Sequence, residues 1–227
     1  MELTLGIGRC ERPTRIYGGV HSNRKGLVMH TRVVTFTGVK DFEGGIALVR
    51  DDVLPVLNEQ KGYRGTTVSA DRSGGVLGIL SLWDTAADRE ASFGPLAKAR
   101  ERGVEITGAE MTIESFEELV TDISEVPAVG SALMVTRISM EPAKIGANLE
   151  FFEKEVLPRI KANDGFQALR NMINRESGEG IVGSVWRDQE AMKAAAAGAL
   201  ARREEATARG VTFGGDSYRE LLVVELR

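Results

Sequence analysis

The sequence predicts an α+β fold in which one βαββαβ unit is used twice, and three observations predict it. The series Val53-Leu54-Pro55, Gly62-Tyr63, Asp71-Arg72 and Trp83 returns as Val156-Leu157-Pro158, Gly165-Phe166, Asn174-Arg175 and Trp186, each member 103 residues further on (53 to 156). That spacing holds through helix-like and strand-like segments alike, so it marks a tandem copy and not shared composition. Each copy also runs through the same order of hydrophobic periods: strand, helix, strand, strand, helix, strand.

The elements follow in chain order. Thr31-Arg-Val-Val-Thr-Phe-Thr37 is a β-branched alternating run that reads as the first strand, with 133–139 as its counterpart. Ile46, Val49, Val53 and Leu57 recur at helical spacing, as do Leu149, Phe152, Val156 and Ile160, which gives each copy an amphipathic first helix. Pro55 and Pro158 fall inside that pattern and predict a kink, because proline removes an amide and clashes with the carbonyl four residues earlier. Gly62 and Gly165 are placed to end the helix in a left-handed turn.

Two strands follow, 63–70 and 76–83 in copy one and 166–173 and 181–186 in copy two, joined by the turns Asp71-Arg-Ser-Gly-Gly75 and Asn174-Arg-Glu-Ser-Gly178. A period of two puts Ile79, Ser81 and Trp83 on one face of the third strand, and Val182, Ser184 and Trp186 on the matching face. Second helices are predicted over 85–102 and 188–209. Aligning Gly103-Val104 with Gly210-Val211 makes the second about one turn longer. The last strands contain Glu114-Ser-Phe-Glu-Glu-Leu119 and Asp216-Ser-Tyr-Arg-Glu-Leu221, similar at a spacing of 102 (114 to 216).

The pattern is the ferredoxin-like split βαβ arrangement, a four-stranded antiparallel sheet with two helices on one face. The other sheet face would stay exposed and partly apolar unless the copies packed sheet to sheet. The expected organisation is a tail over 1–28, repeat one over 29–120, a linker over 121–132 and repeat two over 133–227. The tail carries Arg9, Arg12, Arg15, Arg24 and Lys25 against Glu2 and Glu11, lies outside both repeats, and reads as disordered. Met29, just before the first strand, is a second candidate start.

Composition narrows the function classes. With 42% hydrophobic and 27% charged residues the chain is globular in type, and its net charge of −4 provides no basic field for nucleic acid. No apolar run approaches the roughly 18 to 20 residues of a membrane-spanning helix, and Leu3 to Ile7 is too short for a secretory signal core. One cysteine, Cys10, excludes an internal disulfide, and with two histidines it does not make a usual structural zinc site. A cytoplasmic protein without a metal or other cofactor is expected. The Gly44-Gly45 and Gly74-Gly75 pairs lack the context of a phosphate-binding loop.

The Leu-Pro, Gly-aromatic, Asp/Asn-Arg series, with a strand ending in Trp before a helix-starting acidic segment, resembles the antibiotic biosynthesis monooxygenase-like family of dimeric α/β barrels. The resemblance covers both repeats. It implies a tandem ferredoxin-like chain closed as an intramolecular dimeric α/β barrel, with a ligand between sheet and helices beside Trp83 or Trp186. It also implies metal- and flavin-free oxidation of phenols or quinols, or, in other members, haem degradation. The phenol-oxidising pattern has asparagine four residues before the tryptophan and tyrosine six after it. Here those positions hold Ile79 and Arg89, and Val182 and Met192. The histidine that holds haem iron, ten residues after the tryptophan, is replaced by Phe93 and Ala196.

The candidate ligand-binding residues are therefore Trp186, Trp83, Met192, Phe152 and Phe93, and no catalytic residue is assigned. Each tryptophan reads either as core, its indole N–H bonded to a nearby group, or as a stacking wall for a ligand. The phenylalanines and Met192 read either as core or as pocket lining. Arg72 and Arg175 read as exposed turn charges, and His30 as a solvent-facing residue at the start of strand one. The expected partner is a small apolar or aromatic molecule, met by a monomeric pseudo-dimer or weak homo-oligomer. A cofactor-independent monooxygenase, a non-catalytic binding module and a structural protein with filled pockets all fit these residues. The small residues Ala195, Ala196 and Ala199 leave room in copy two where Phe93 would fill it in copy one, so the more open pocket is expected beside Trp186.

Overall fold

The computed structural model describes residues 28–227, so the predicted tail lies outside the described residues except for Val28. Eight strands are formed: β1 (Met29–Thr37), β2 (Tyr63–Asp71), β3 (Val76–Trp83), β4 (Glu110–Ile123), β5 (Ala132–Ser139), β6 (Phe166–Ile173), β7 (Glu179–Trp186) and β8 (Thr212–Leu226). They close into one antiparallel barrel in the order β1-β3-β2-β8-β5-β7-β6-β4. Each copy contributes four adjacent strands, and the copies meet edge to edge at β2–β8 and β4–β6. Two ferredoxin-like units thus form an α/β barrel within a single chain, and closure leaves no free sheet edge.

Strand alternation sorts the side chains. Outward positions such as Phe36, Val68 and Leu77 pack under the helices of copy one, and Ile138 and Ile173 do so in copy two. Inward positions, among them Val33, Phe116, Met172 and Ile181, pack together inside the barrel. The helices of copy one are α1 (Phe42–Leu48), α2 (Leu54–Asn58), α3 (Ala86–Ala91) and α4 (Ala97–Thr107). Those of copy two are α5 (Ile145–Phe151), α6 (Leu157–Lys161), α7 (Gln189–Ala197) and α8 (Ala199–Ala208). Thr85 and Asp188 cap α3 and α7, accepting from Asp88 N at 3.0 Å and Ala191 N at 2.8 Å.

The two prolines act differently from a simple kink. Wide π-helical turns, Val49–Val53 and Phe152–Val156, join α1 to α2 and α5 to α6 just before Pro55 and Pro158. Leu54 and Leu157 bond back to Val49 O and Phe152 O, five residues earlier, and the chain stays helical through both prolines. The widened turn removes the need for the amide that proline lacks. Gly62 and Gly165 take the expected positive φ, 72° and 78°.

Two alignments made on sequence are corrected. Gly103 lies inside α4, and the glycine equivalent to Gly210 is Gly108, the left-handed cap of that helix. The second helical segment of copy two is therefore no longer than that of copy one. In β8, Phe213 pairs with Ile138 and Asp216 with Thr136, so Gly214 and Gly215 together oppose Arg137 as a β-bulge. Past the bulge the equivalence of β8 to β4 moves on by one residue, and Arg219 corresponds to Phe116, not to Glu117. Since strand faces alternate, that shift exchanges inward for outward positions.

At the β2–β8 seam Gly65 has φ +146°, and a Cβ there would come within 2.3 Å of Glu225 O. Gly65→Ala is expected to cost about 2 kcal/mol or more, through forced positive φ and separation of the seam, measured by urea denaturation. Tyr63, buried beside the same seam, donates to Thr66 Oγ1 at 2.7 Å, and burial pushes its pKa up to about 12. The folded protein holds this proton more tightly than the unfolded chain, whose tyrosine titrates near its ordinary 10. The stabilisation is complete below pH 10 and is lost as pH rises to about 12. Tyr63→Phe should flatten the alkaline fall in denaturation midpoint across that interval.

Candidate functional site

A cavity of about 110 Å3 lies between the copy-two sheet and its helices. Alternation along β7 turns Val182, Ser184 and Trp186 toward the helices, β5 contributes Met134, and the π turn brings Phe152 over them. Trp186 is 1% exposed, its Nε1 donates to Ser184 Oγ at 3.0 Å, and Phe166 meets it edge-on at 5.6 Å between ring centroids. One face of the indole is therefore fixed by packing while the residue still borders the cavity.

Besides Ser184, five polar side chains border this mostly apolar space: Asn171, Asn148, Arg202, Arg203 and Thr136. Asn171, 3% exposed on β6, has no hydrogen-bond partner for its Oδ1 among the described residues. Asn148, on α5, donates weakly from Nδ2 to Met140 Sδ at 3.6 Å. Arg202, on α8, donates to Ala195 O at 3.3 Å and makes no ion pair among the described residues. Burial lowers its pKa, reinforced by the nearby Arg159 and Arg203 guanidinium groups. Arg203, in contrast, is committed to both carboxylate oxygens of Asp216 at 2.7 Å, and Thr136 Oγ1 donates to the same carboxylate at 2.8 Å.

The equivalent space in copy one is about 50 Å3. Arg32, 4% exposed, enters it from β1, donating to Ser92 Oγ at 2.8 Å and Arg89 O at 2.7 Å. Strand pairing sets Arg32 opposite Ser81 and Met134 opposite Ser184, so the flexible Met134 of copy two stands where copy one has an anchored guanidinium. Asn171 and Asn148 likewise correspond to Val68 and Gly45.

The sequence candidates part company in the structure. Trp186 and Phe152 line the larger cavity. Met192 is buried with Trp186, Ala132 and Ala195 and is not part of the cavity wall. Trp83 is 0% exposed, donates to Ser81 Oγ at 3.0 Å, and packs with Tyr63, Leu57 and Leu96, outside the wall of the small cavity. Phe93 is 43% exposed and stacks against Arg100 at 3.8 Å. Arg32, not Phe93, fills copy one, because the turn after α3 carries Phe93 to the surface and its carbonyl to Arg100.

Arg72 and Arg175 pair with Glu43 and Glu117 at 2.8 and 2.6 Å. His30 borders neither cavity, and its pKa is lowered by burial and then by Arg89. Sequence reading missed Asn171, Asn148 and Arg202. The first two were available as departures from Val68 and Gly45 at the repeat spacing, whereas Arg202 required the helix caps to be aligned correctly. Among the described residues no group of three or more His, Cys, Asp or Glu side chains could hold a metal, and no helix is long and apolar enough to cross a membrane.

The architecture is the dimeric α/β barrel fold of antibiotic biosynthesis monooxygenase-like proteins. The chain superposes on a candidate monooxygenase of Fusobacterium nucleatum with TM-score 0.63 and 15% identity, over 89% of this chain and 96% of that one. It superposes on an anthrone oxidase-like protein with TM-score 0.59 and 15% identity, over 87% and 92%. In sequence it is 26% identical to the uncharacterized protein Rv2557 of Mycobacterium tuberculosis, over 75% of this chain and 76% of the relative. It is 27% identical to Rv2558 of the same organism, over 69% and 67%. No family model matches the sequence.

Trp83→Ala should cost about 3 to 5 kcal/mol, as for other fully packed large aromatics. Trp186→Ala should cost measurably less, because the adjoining cavity already withholds contacts from one side of the ring. Urea titrations of the two variants test this, and equal losses would show that the cavity does not relieve Trp186.

Proposed function

We propose that the copy-two cavity binds a small aromatic molecule of phenol or quinol type and promotes its oxidation by molecular oxygen without a cofactor. The observation that carries this reading is Asn171, a buried carbonyl oxygen left unbonded in an apolar space. Such a group costs about 1 to 3 kcal/mol unless a ligand satisfies it, and a phenolic hydroxyl is the donor that suits it. The resemblance to the phenol-oxidising barrels sets an asparagine at position 182, and Asn171 is the direct cross-strand neighbour of Val182. The amide is supplied from the adjacent strand.

The remaining roles follow from the walls. Trp186 and Phe152 orient a ring, the apolar lining excludes water, and the unpaired Arg202 guanidinium favours ionisation of a second hydroxyl, not the one donated to Asn171 Oδ1. An electron-rich phenolate supplies the electrons itself. In the oxidation of a hydroquinone to a hydroxyquinone, a ring C–H bond is replaced by C–O with one atom of O2, the other oxygen atom leaves as water, and all four electrons come from the substrate. At about 110 Å3 the cavity is smaller than the roughly 150 Å3 that holds a benzene ring in an engineered protein core, so a single-ring substrate requires side chains of the wall such as Met134 to move aside, and a tricyclic one is disfavoured. Among the described residues the cavity's titratable side chains are two arginines, with no carboxylate or histidine base, and this favours, as a second reading, a module that binds the same class without turning it over.

Oxygen uptake and tryptophan fluorescence, followed with a panel of hydroquinones, phenols and anthrones, test the proposal. Turnover is expected with single-ring quinols, and Asn171→Leu should lower kcat/KM by roughly 10- to 100-fold, equivalent to one lost buried hydrogen bond, while raising unliganded stability. Saturable binding without oxygen uptake would select the binding module. Failure of every panel member to bind would defeat both readings.

A further inference from the structure

A second cavity, of about 100 Å3, lies inside the barrel, on the opposite face of the sheet from the helices. Three arginines reach it. Arg137 is held by both oxygens of Glu114 at 2.7 Å, and Arg170 is paired with Glu118. Arg219 differs: its Nε donates to Ser217 Oγ at 2.9 Å, and its two terminal nitrogens make no hydrogen bond or ion pair among the described residues. Burial lowers its pKa, with Arg137 adding to the effect and Asp71 opposing it, yet a guanidinium remains charged at neutral pH.

The internal duplication provides the control. Through the β8 bulge Arg219 takes the place of Phe116, and Gly78 takes the place of Ile181. In the other half Phe116 and Ile181 pack with Met172 as apolar core. In this half the matching positions are Arg219, Gly78 and Ser69. A Cβ on Gly78 would lie 2.2 Å from Arg219 Nη1 and 3.2 Å from Ser69 Oγ. A cation and a hydroxyl therefore converge over the one β3 position that has no side chain, with Leu133, Val135 and Leu221 among the nearby apolar walls. Arg219 is half-buried, and the part of a cation drawn out of water without a partner is costly by itself, whereas the half that carries phenylalanine demonstrates that this barrel has a cheaper filling. Arg219 also borders a solvent groove between the β2–β3 turn and α7.

We propose that the barrel interior is a second ligand site, separate from the helix-side cavity, which takes a small carboxylate with a compact apolar body. The carboxylate lies against Arg219 and Ser69, and the tail extends between the β3 and β5 walls. Charge-assisted bonds from a guanidinium are the strong class of hydrogen bond, so affinity resides in the acid group.

Calorimetric titration of the full-length chain with benzoate and hexanoate, beside the neutral benzyl alcohol and hexanol, tests the site. The carboxylates should bind saturably and roughly tenfold or more tighter than the alcohols. Arg219→Gln should abolish that preference. Gly78→Ala, whose new methyl has the ends of the Arg219 and Ser69 side chains as its nearest neighbours, should weaken carboxylate binding with an unchanged circular dichroism spectrum. Asn171→Leu, in the helix-side cavity, should leave it unaltered, which separates this site from the proposed oxidation. Absence of saturable carboxylate binding, equal affinity for acid and alcohol, or full binding by Arg219→Gln or Gly78→Ala would overturn the proposal, as would loss of binding in Asn171→Leu.

Discussion

The closing ladders β2–β8 and β4–β6 are the constraint on which the rest depends. A four-stranded sheet with helices on one face cannot cover its other face, and in this chain the second copy covers it. Closure then defines two kinds of space. Between sheet and helices each copy has its own compartment, and inside the barrel the copies share one. Because the strands alternate, a single residue shift decides which compartment receives a side chain. The Gly214-Gly215 bulge makes such a shift in β8, and it directs Arg219 inward.

Duplication with covalent closure also frees the copies from symmetry. In a barrel of two identical chains any cavity-forming substitution appears twice, whereas one chain can fill one compartment and open the other. Copy one is narrowed to about 50 Å3 by Arg32, whose guanidinium is satisfied by Ser92 Oγ and Arg89 O, and by packed Val68. Copy two has Met134 and Asn171 at the matching places and keeps about 110 Å3 open. Arg32 holds its hydrogen bonds within the protein, while Asn171 Oδ1 and Arg202 have capacity left over.

Much of the fold was legible in the sequence because repeat spacing, strand alternation and helical period are local signals that the second copy confirms. The Trp83 and Trp186 strands, the first helices and the hairpins fall where the pattern places them. What failed were features without a local signature. Nothing in Val49 to Pro55 by itself distinguishes a kink from a π turn. The glycine match that lengthened the second helix was coincidental, since Gly103 is needed for space: a Cβ there would meet Phe36 at 2.9 Å. The site was less legible than the fold, because small residues opposite Phe93 suggested a room whose actual occupant, Arg32, arrives from a different element.

The tryptophans that signalled the repeat explain least about its function. Trp83 and Trp186 make the same 3.0 Å bond to a serine two residues earlier and the same edge contact to the aromatic that follows the helix-ending glycine. The same serine bond and edge contact in a narrower and a more open compartment mean that each indole is first a structural wedge between sheet and helix. Whatever distinguishes the copies chemically must therefore come from residues that differ across the repeat. Within the helix-side compartments these are Arg32 against Met134, Val68 against Asn171 and Gly45 against Asn148. Inside the barrel they are Phe116 against Arg219 and Ile181 against Gly78. Each set places a polar group that lacks a full complement of partners, Asn171 in one and Arg219 in the other, where the matching position of the repeat is apolar Val68 or Phe116, and a folded chain retains such a group at a cost to its own stability, which makes these two places the positions where a ligand is to be sought.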